Sequence, residues 1–363
     1  MKEVYFDNAS TALPVFKYET LDLGNPSTSH AYGIRAEREL TNARRILGRI
    51  IGCDKNEVIF TSGGTESNNL AILGYGFANR RNNVSFHALP GAHPSVLESI
   101  KSLTNLGFGV SKELDISSIS QLCEHSFISL PQVCHETGEV YNIEEIAAKL
   151  KKMNTKTIVH IDGVQGFCKE RLSMENIDLY SVSSHKIHGP SGVGGLMVKK
   201  GVRLMPILSG GNQEQGLRAG TQNTNGAIQF AHTAQKLHEN MDANKSKVLA
   251  VKTELLKITQ ELDFVSVNSP VQATPYILSM SFLGVLGEVL MNMLSEKRIF
   301  VSTGAACKRN SSPLSKMGFM KELAESSIRF GLSHHNTVEE AEYTRNVIKD
   351  CVVALRKVGT GKK

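Results

Sequence analysis

From about residue 38, apolar and polar positions along the chain alternate between a helical spacing and short buried runs. The apolar runs predict strands at 57–62, 83–89, 127–130, 157–162, 178–184 and 192–198. The helical spacing predicts helices that include 39–51, 66–73, 93–103 and 143–152. Strands that alternate with helices are typical of an α/β domain with a mainly parallel central sheet.

The pattern changes after about residue 240. A long helical pattern runs through Leu262, and it is followed by a predicted strand at 277–282 and predicted helices at 288–294 and 338–355. A chain of 363 residues has room for two domains at about 150 residues each. We therefore expect a large α/β domain over 13–240 and a smaller α+β domain formed by 1–12 and 241–363.

Composition excludes several classes of protein. Hydrophobic residues make up 40% and charged residues 21% of the chain, which is typical of a globular protein and not of a disordered one. No run of eighteen apolar residues predicts a spanning helix, and the first residues, MKEVYFDNAS, lack the apolar core of a secretion signal. We expect a cytoplasmic protein. The net charge of +6 comes partly from basic residues near the C-terminus, so it is weak evidence for nucleic-acid binding.

Metal and disulfide sites are not indicated. The six cysteines form no C-x-x-C pair, and the twelve histidines form no H-E-x-x-H motif, so neither a zinc ribbon, a disulfide framework nor a metal hydrolase is expected. The cysteines are Cys53, Cys123, Cys134, Cys168, Cys307 and Cys351.

Three polar clusters follow predicted strands, where open α/β sheets bind ligands. The first, Thr61 to Ser67, is a glycine turn before a helix, which suits a phosphate but is also a well-capped turn. In the second, Asp162 ends an apolar strand, where a carboxylate can pair with a cationic ring nitrogen or simply form a turn. In the third, Lys186 lies between two histidines; a buried lysine there could form a Schiff base, and an exposed one would be ordinary.

Taken together, these clusters resemble the pyridoxal-phosphate site of fold-type I enzymes, specifically the class V aminotransferase group and, within it, the cysteine desulfurases. The resemblance runs nearly end to end. It is carried by the motifs YFDNAST, GNPS with SH, FTSGGTESNNLA, AHP, HIDGVQ, SSHKIHGPSGVGGL, GLRAGTQN, STGAAC and SSIRFGL.

The resemblance implies a role for each matching residue. Lys186 would hold the cofactor as a Schiff base and move the substrate's α-proton, His93 would stack on the pyridine ring and act in acid–base steps, and Asp162 would pair with the ring nitrogen. Arg329 and Asn25 would bind the substrate carboxylate. Further cofactor contacts are implied for Gly64, Thr65, His135, Gln165, Ser183, His185 and, across a homodimer interface, Thr221.

Cys307 in STGAAC matches the family's nucleophile, whose thiolate takes sulfur from cofactor-bound L-cysteine as a persulfide while L-alanine is released. The basic residues Lys308 and Arg309 follow it, and nearby cations favour a thiolate. The alternative for a lone cysteine is a buried, inert thiol. We expect the other five cysteines to be such core thiols.

The chain departs from the family pattern at three places. The loop after Cys307 is shorter than in the long-loop branch, and a shorter tether has less reach toward an iron–sulfur scaffold. His135 stands where the family has an asparagine. The segments after residue 13 and between 104 and 126 are trimmed.

The leading hypothesis is a homodimeric cysteine desulfurase that passes sulfur to an acceptor protein of unknown identity, such as an iron–sulfur scaffold or a tRNA-thiolation enzyme. The alternatives are a selenocysteine lyase, a cysteine-sulfinate enzyme or a transaminase with the same site. From another class, the chain could be a non-catalytic sulfur-relay or interaction protein. Retention of Lys186, His93, Asp162, Gln165 and Arg329 together argues against that last alternative.

Overall fold

The computed structural model describes residues 3–14, 20–114, 122–304 and 312–360. Their strands are β1 (Val4–Tyr5), β2 (Val58–Thr61), β3 (Ser85–Ala88), β4 (Val110–Glu113), β5 (Ser126–Pro131), β6 (Ile158–Asp162), β7 (Leu179–Ser183), β8 (Gly194–Val198), β9 (Val265–Val267), β10 (Ile277–Phe282), β11 (Ile299–Phe300), β12 (Ser302–Thr303) and β13 (Ser327–Gly331). The α-helices are α1 (Ala31–Ile51), α2 (Gly64–Ala78), α3 (Pro94–Asn105), α4 (Ile143–Met153), α5 (Thr224–Glu239), α6 (Met241–Leu256), α7 (Ile258–Glu261), α8 (Gly287–Glu296), α9 (Pro313–Lys316), α10 (Lys321–Glu325) and α11 (Val338–Thr360). Short 3-10 helices cover Lys55–Glu57, Ser184–Lys186 and Gln213–Gly216.

The described residues divide into two compact units. The large unit comprises those within 13–132 and 141–239, and the small unit those within 1–12, 133–140 and 240–363. The segment 133–140, which the sequence places in the large domain, therefore belongs to the small unit. Its backbone accounts for this: Val133 bridges Val140, and Gly138 O accepts a hydrogen bond from Thr274 N at 2.8 Å.

The large unit is built on a seven-stranded sheet in the order β2-β8-β7-β6-β5-β3-β4. Strands β4, β3, β5, β6 and β7 pair in parallel, and β8 is antiparallel to both β7 and β2. The mainly parallel α/β sheet predicted from the sequence is confirmed. Because β8 runs opposite to both neighbours, the carboxyl ends of β2, β6 and β7 lie at the same edge of the sheet.

Helices cover a sheet in which β2, β3, β5, β6, β7 and β8 are buried almost throughout. Helix α1 begins after His30, whose side chain accepts a hydrogen bond from Gly33 N, and it ends at Gly52, which adopts a left-handed conformation with φ of 88°. Leu40, Ala43 and Leu47 recur at helical spacing on its buried face and join the large unit's core. This face fixes α1 against the sheet and α5.

The small unit contains a four-stranded antiparallel sheet in the order β12-β13-β10-β9 and a parallel pair, β1 with β11. Its own core includes Phe6, Phe282 and Phe330, all fully buried. Helices α6, α8 and α11 pack together around this core. The predicted α+β character of this region is confirmed.

Most predicted elements agree with the structure to within two residues, and the differences have local causes. Helix α1 begins at Ala31, eight residues before the predicted start. The apolar pattern missed these first turns because the residues that they bury, Gly33 and Ala36, are small. The helical pattern through Leu262 is broken at Lys257 between α6 and α7. Helix α5 and strands β4, β9 and β13 were not among the predicted elements. No helix in the described ranges is long and apolar enough to cross a membrane.

His160 on β6 makes the large unit sensitive to acid. Its ring is fully buried and bonds to Ser129 Oγ through Nδ1 and to Ser181 Oγ through Nε2, each at 2.9 Å. Burial lowers the pKa of His160 from 6.5 to about 3, so between these values the unfolded chain binds one more proton than the folded chain. The contribution of the neutral His160 ring to the unfolding free energy is complete above pH 6.5 and is lost as the pH falls.

We therefore expect about 2 kcal/mol of the unfolding free energy to disappear between pH 6.5 and pH 5 because of His160. Urea unfolding of wild type and of the His160→Gln variant at both pH values measures this. Between pH 6.5 and pH 5, the unfolding free energy of the variant should fall by about 2 kcal/mol less than that of wild type. The exposed His238, replaced in the same way, is the control. Equal drops in wild type and His160→Gln would contradict the prediction.

Candidate active site

Several sequence-predicted site residues gather at the carboxyl edge of the large unit's sheet. Thr61 ends β2, Asp162 ends β6 and Ser183 ends β7, and the register pairs Thr61 and Ser183 with the same residue of β8, Gly194. Ligands bind at this edge in open α/β sheets. The strand order therefore brings the glycine turn after Thr61 together with Asp162 and Ser183, which lie more than a hundred residues further along the chain.

A glycine turn after β2 forms a cradle suited to an anion. Gly63, with φ of 155°, precedes α2 and provides no side-chain cap for its first turn, which leaves the helix's initial N–H groups without that partner. A Cβ on Gly64 would lie 2.5 Å from Val164 Cγ2, so only glycine allows this turn to approach the loop after Asp162. The buried Ser183 Oγ, close to Gly63, has no hydrogen-bond partner in the described part of the chain. A phosphate would satisfy this group.

Asp162 is held rigidly and is only 8% exposed. Its Oδ2 accepts a hydrogen bond from Asn68 Nδ2 at 2.9 Å, and its Oδ1 accepts one from Val164 N at 3.1 Å. A buried carboxylate with two donors fixed in place is well suited to pairing with a cationic nitrogen.

His185 and Lys186 follow the end of β7, and Lys169 lies near Lys186. Lys186 and His185 lie in the 3-10 helix Ser184–Lys186, both partly buried. Burial, with contributions from Lys186 and Lys169, lowers the pKa of His185 to about 4, so its imidazole is neutral at neutral pH. Burial and the charge of Lys186 lower the pKa of the buried Lys169 to about 7. Lys169 was not singled out from the sequence.

His93 begins α3 and acts as its N-cap. Its Nδ1 accepts a hydrogen bond from Ser95 N at 3.2 Å and lies 2.7 Å from Ser95 Oγ.

Gln165 is buried, whereas Thr65 and Thr221 are exposed. Asn25 is also exposed, and its Oδ1 accepts a hydrogen bond from Ser27 N at 2.9 Å.

Arg329 is the centre of a polar cluster in the small unit. It lies on β13 and is 8% exposed. Its Nη1 donates to His135 O at 2.9 Å and to Glu136 Oε1 at 3.1 Å, and its Nη2 donates to Ser10 Oγ at 2.9 Å. Burial raises the pKa of the Glu136 carboxyl although Arg329 opposes this. In the described part of the chain, the buried Nε of Arg329 has no hydrogen-bond partner. The guanidinium thus keeps donor capacity for a carboxylate.

Cys307, with Lys308 and Arg309, lies outside the described residues. Of the remaining cysteines, Cys134, Cys168 and Cys351 are buried, and burial raises the pKa of each thiol. Cys53 is partly buried, and burial together with Glu57 and Asp54 raises its pKa to about 12. Cys123 is exposed, so the expectation that all five are core thiols is wrong there: its segment precedes β5 at the surface.

Residues 4–343 match the family model for class V aminotransferases. The chain belongs to this family. A curated relative, the cysteine desulfurase IscS of Anaeromyxobacter dehalogenans (strain 2CP-C), is 34% identical over 94% of this chain and 88% of its own. A NifS/IcsS protein homolog of Lactobacillus delbrueckii subsp. bulgaricus is 32% identical over 93% of this chain and 94% of its own.

Solved structures agree with this assignment. The structure of a NifS-like protein is 29% identical, with a TM-score of 0.89 over 97% of this chain and 100% of that chain. A structure of SspA in complex with cysteine is 26% identical, with a TM-score of 0.78 over 93% of this chain and 100% of that chain. The fold is that of the fold-type I pyridoxal-phosphate enzymes, and class V enzymes depend on pyridoxal 5′-phosphate.

The large unit's residues fit this cofactor. The unpartnered Ser183 Oγ and the uncapped start of α2 suit its phosphate, the buried Asp162 suits its ring nitrogen, and Lys186 is the lysine at the same sheet edge. Sequence reasoning missed Asn68 and Ser95, which hold Asp162 and His93. The only signal for them was the His-x-Ser spacing at a predicted helix start.

His135, at the family's asparagine position, is expected to alter how the bound cofactor's visible absorbance depends on pH. Its Nε2 lies 3.6 Å from Glu136 Oε1, and an imidazole titrates near neutral pH whereas an amide does not. Spectra of the holoenzyme recorded across pH 6 to 9 should differ between wild type and His135→Asn. Identical titrations would rule out an influence of His135.

Proposed function

We propose that the chain is a pyridoxal-phosphate-dependent cysteine desulfurase. It converts L-cysteine to L-alanine and carries the sulfur as a persulfide on Cys307 for transfer to an acceptor protein. The observation that carries this proposal is the convergence of Ser183, Asp162 and Lys186 with the glycine turn at one sheet edge. The relatives named cysteine desulfurases, aligned over nearly the whole chain, support the choice of substrate.

Each residue's chemistry follows from its surroundings. Bound pyridoxal phosphate supplies an electron sink for bonds at the substrate's α-carbon. Asp162, held by its two donors, would place a carboxylate against the ring nitrogen. His185, whose pKa is lowered to about 4, is neutral at neutral pH and would donate an N–H to the phosphate. Thr65, Gly64 and Ser183 would complete the phosphate contacts, and Gln165 and His135 would reach the ring's 3-oxygen.

Lys186 would link to the cofactor and carry the α-proton of the substrate. A lysine does this only as a neutral amine, and Lys186 lies close enough to Lys169 for its charge to lower the pKa of Lys169. Arg329 and Asn25 would bind the substrate carboxylate. Arg329 is already oriented by Glu136, His135 and Ser10, so binding requires little reorganisation of its side chain.

Cys307 decides whether the chain is a desulfurase or another class V enzyme. Its thiolate would attack the sulfur of the bound cysteine, forming the S–S bond of the persulfide as the C–S bond breaks and the electron pair of that bond passes to the substrate carbon. Lys308 and Arg309 would favour the thiolate.

The test is sulfide release from L-cysteine by the holoenzyme in the presence of dithiothreitol. We expect Cys307→Ala to lower the rate to the uncatalysed background while the bound cofactor's visible absorbance stays as in wild type. The exposed cysteine replaced in Cys123→Ala is the matched control and should keep wild-type activity. Full activity in Cys307→Ala would disprove the persulfide mechanism, and turnover of selenocysteine alone would favour a lyase instead.

We also propose that the enzyme works as a homodimer in which Thr221 reaches the cofactor phosphate of the other subunit. Thr221 is exposed, between the 3-10 helix Gln213–Gly216 and α5, as a residue that serves a second subunit would be. Light scattering of the purified holoenzyme should give twice the chain mass of 39.7 kDa. A monomer of full activity would contradict this arrangement.

A further inference from the structure

Four polar side chains of the large unit form one continuous hydrogen-bonded chain. Asn68 Nδ2 donates to Asp162 Oδ2 at 2.9 Å and to Ser95 Oγ at 2.9 Å, and Ser95 Oγ lies 2.7 Å from His93 Nδ1. Asn68 is 1% exposed and Ser95 is 9% exposed, so water offers little competition. The chain joins the two residues expected on the cofactor ring, although 69 residues separate them in sequence.

The direction of the two bonds made by Asn68 is fixed by chemistry. The Asp162 carboxylate only accepts, so the amide nitrogen of Asn68 must face it; the reverse orientation would place two oxygens together. The second N–H of that amide fills a lone pair of Ser95 Oγ. The single hydroxyl proton of Ser95 is then free to point at His93 Nδ1.

His93 Nδ1 also faces a second hydrogen-bond donor. The backbone N–H of Ser95, which can only donate, lies 3.2 Å from His93 Nδ1. Nδ1 is therefore an acceptor toward both groups, and a neutral imidazole that accepts at Nδ1 carries its proton on Nε2. A proton on Nδ1 would face the backbone N–H of Ser95 and lose that bond.

We propose that Ser95 and Asn68 are positioning residues that connect Asp162 to His93 and fix His93 as the tautomer protonated at Nε2. On the proposed function, His93 then presents a proton donor at Nε2, and removal of the substrate's α-proton falls to Lys186. Neither Ser95 nor Asn68 touches the reacting atoms. Their effect passes through the orientation and proton of His93.

The direct test is the protonation of His93 in the cofactor-free protein, which does not depend on any catalytic activity. Long-range ¹⁵N–¹H correlation spectra, with the His93 signals assigned by their loss in His93→Gln, should show Nδ1 unprotonated and Nε2 protonated. The Nδ1 signal of Ser95→Ala and of Asn68→Ala should move toward that of a protonated nitrogen, and Ser95→Thr should restore the wild-type position.

Ser99→Ala is the matched control, because Ser99 lies one turn further along α3 and its hydroxyl donates only to Ser95 O, at 2.7 Å. Its His93 signals should be those of wild type. A protonated Nδ1 in wild type would overturn the proposal whether or not any variant folds. An unchanged signal in Ser95→Ala would assign the tautomer to the backbone N–H alone and remove Ser95 and Asn68 from it.

Kinetics of the holoenzyme give a second, separate measurement. Loss of the Ser95 hydroxyl changes where His93 carries its proton and does not change how substrate binds. We therefore expect kcat of Ser95→Ala for L-cysteine to fall about tenfold with KM unchanged. A rise in KM at constant kcat would contradict a role through His93. If no variant or wild-type preparation released sulfide, the proposed function would fail while the tautomer result still stood.

Discussion

Replacing Lys186 with alanine is expected to abolish covalent attachment of pyridoxal phosphate and to reduce desulfuration by at least about 10³-fold, because the chain loses both the linking amine and the group that carries the α-proton. Borohydride reduction followed by mass spectrometry measures the attachment. Wild type should gain the mass of one reduced cofactor on the peptide that contains Lys186. The variant should gain none, although non-covalent contacts at Ser183 and Asp162 can still retain some cofactor.

The large unit offers a demanding control for this experiment. Lys169 is buried, and burial with the charge of Lys186 lowers its pKa to about 7, so part of it is a neutral amine at neutral pH. Lys169 is therefore the competing nucleophile against which Lys186 must be tested. Reduced cofactor found on Lys169 in wild type would contradict the assignment of Lys186. The exposed lysine replaced in Lys200→Ala controls for the loss of a surface charge.

The sheet edge could be predicted from the sequence because its signals are local. An apolar strand followed by Asp162, and another followed by Ser183 and Lys186, are each visible within ten residues. The parallel order of these strands then follows from the alternation of helices and strands. The roles of the individual residues came from the resemblance to the family, and they stay predictions until variants are measured.

What the sequence could not show depends on partners far along the chain. The segment 133–140 reads as part of the α/β region, yet its backbone bonds to Thr274 and Arg329 place it in the small unit. Asn68 and Ser95 lie inside or at the start of helices, where small polar residues commonly cap or face solvent. Only the approach of α2 to α3 and β6 turns them into a connection between His93 and Asp162.

Arg329→Met is expected to have two separable effects, one on stability and one on substrate binding. The substitution removes the guanidinium that pairs with the Glu136 carboxyl, which is 6% exposed. Removing one partner of a buried pair costs about 3 to 5 kcal/mol of unfolding free energy. Loss of the guanidinium should also raise KM for L-cysteine by roughly 10- to 100-fold, because hydrogen bonds to a charged carboxylate are lost.

The double variant Glu136→Gln with Arg329→Met separates these effects. An amide at position 136 carries no charge, so most of the lost stability should return, while KM should stay as high as in the single variant. Chemical unfolding and steady-state kinetics on both proteins measure the two quantities. A double variant as unstable as the single one would show that Glu136 is not the group left uncompensated.

The pH dependence of Arg329→Met provides a further check on the same pair. Burial raises the pKa of Glu136 above 4.5, and in the variant Arg329 no longer opposes this. The Glu136 carboxyl of the folded variant therefore holds a proton that the unfolded chain releases. Its unfolding free energy should therefore fall as the pH rises from about 4.5 toward neutrality, relative to wild type. The double variant has no carboxyl at this position and should not show that fall. If the two variants had parallel pH profiles, the charge of Glu136 could not be what makes Arg329 necessary for stability, and only its role in binding the substrate carboxylate would remain.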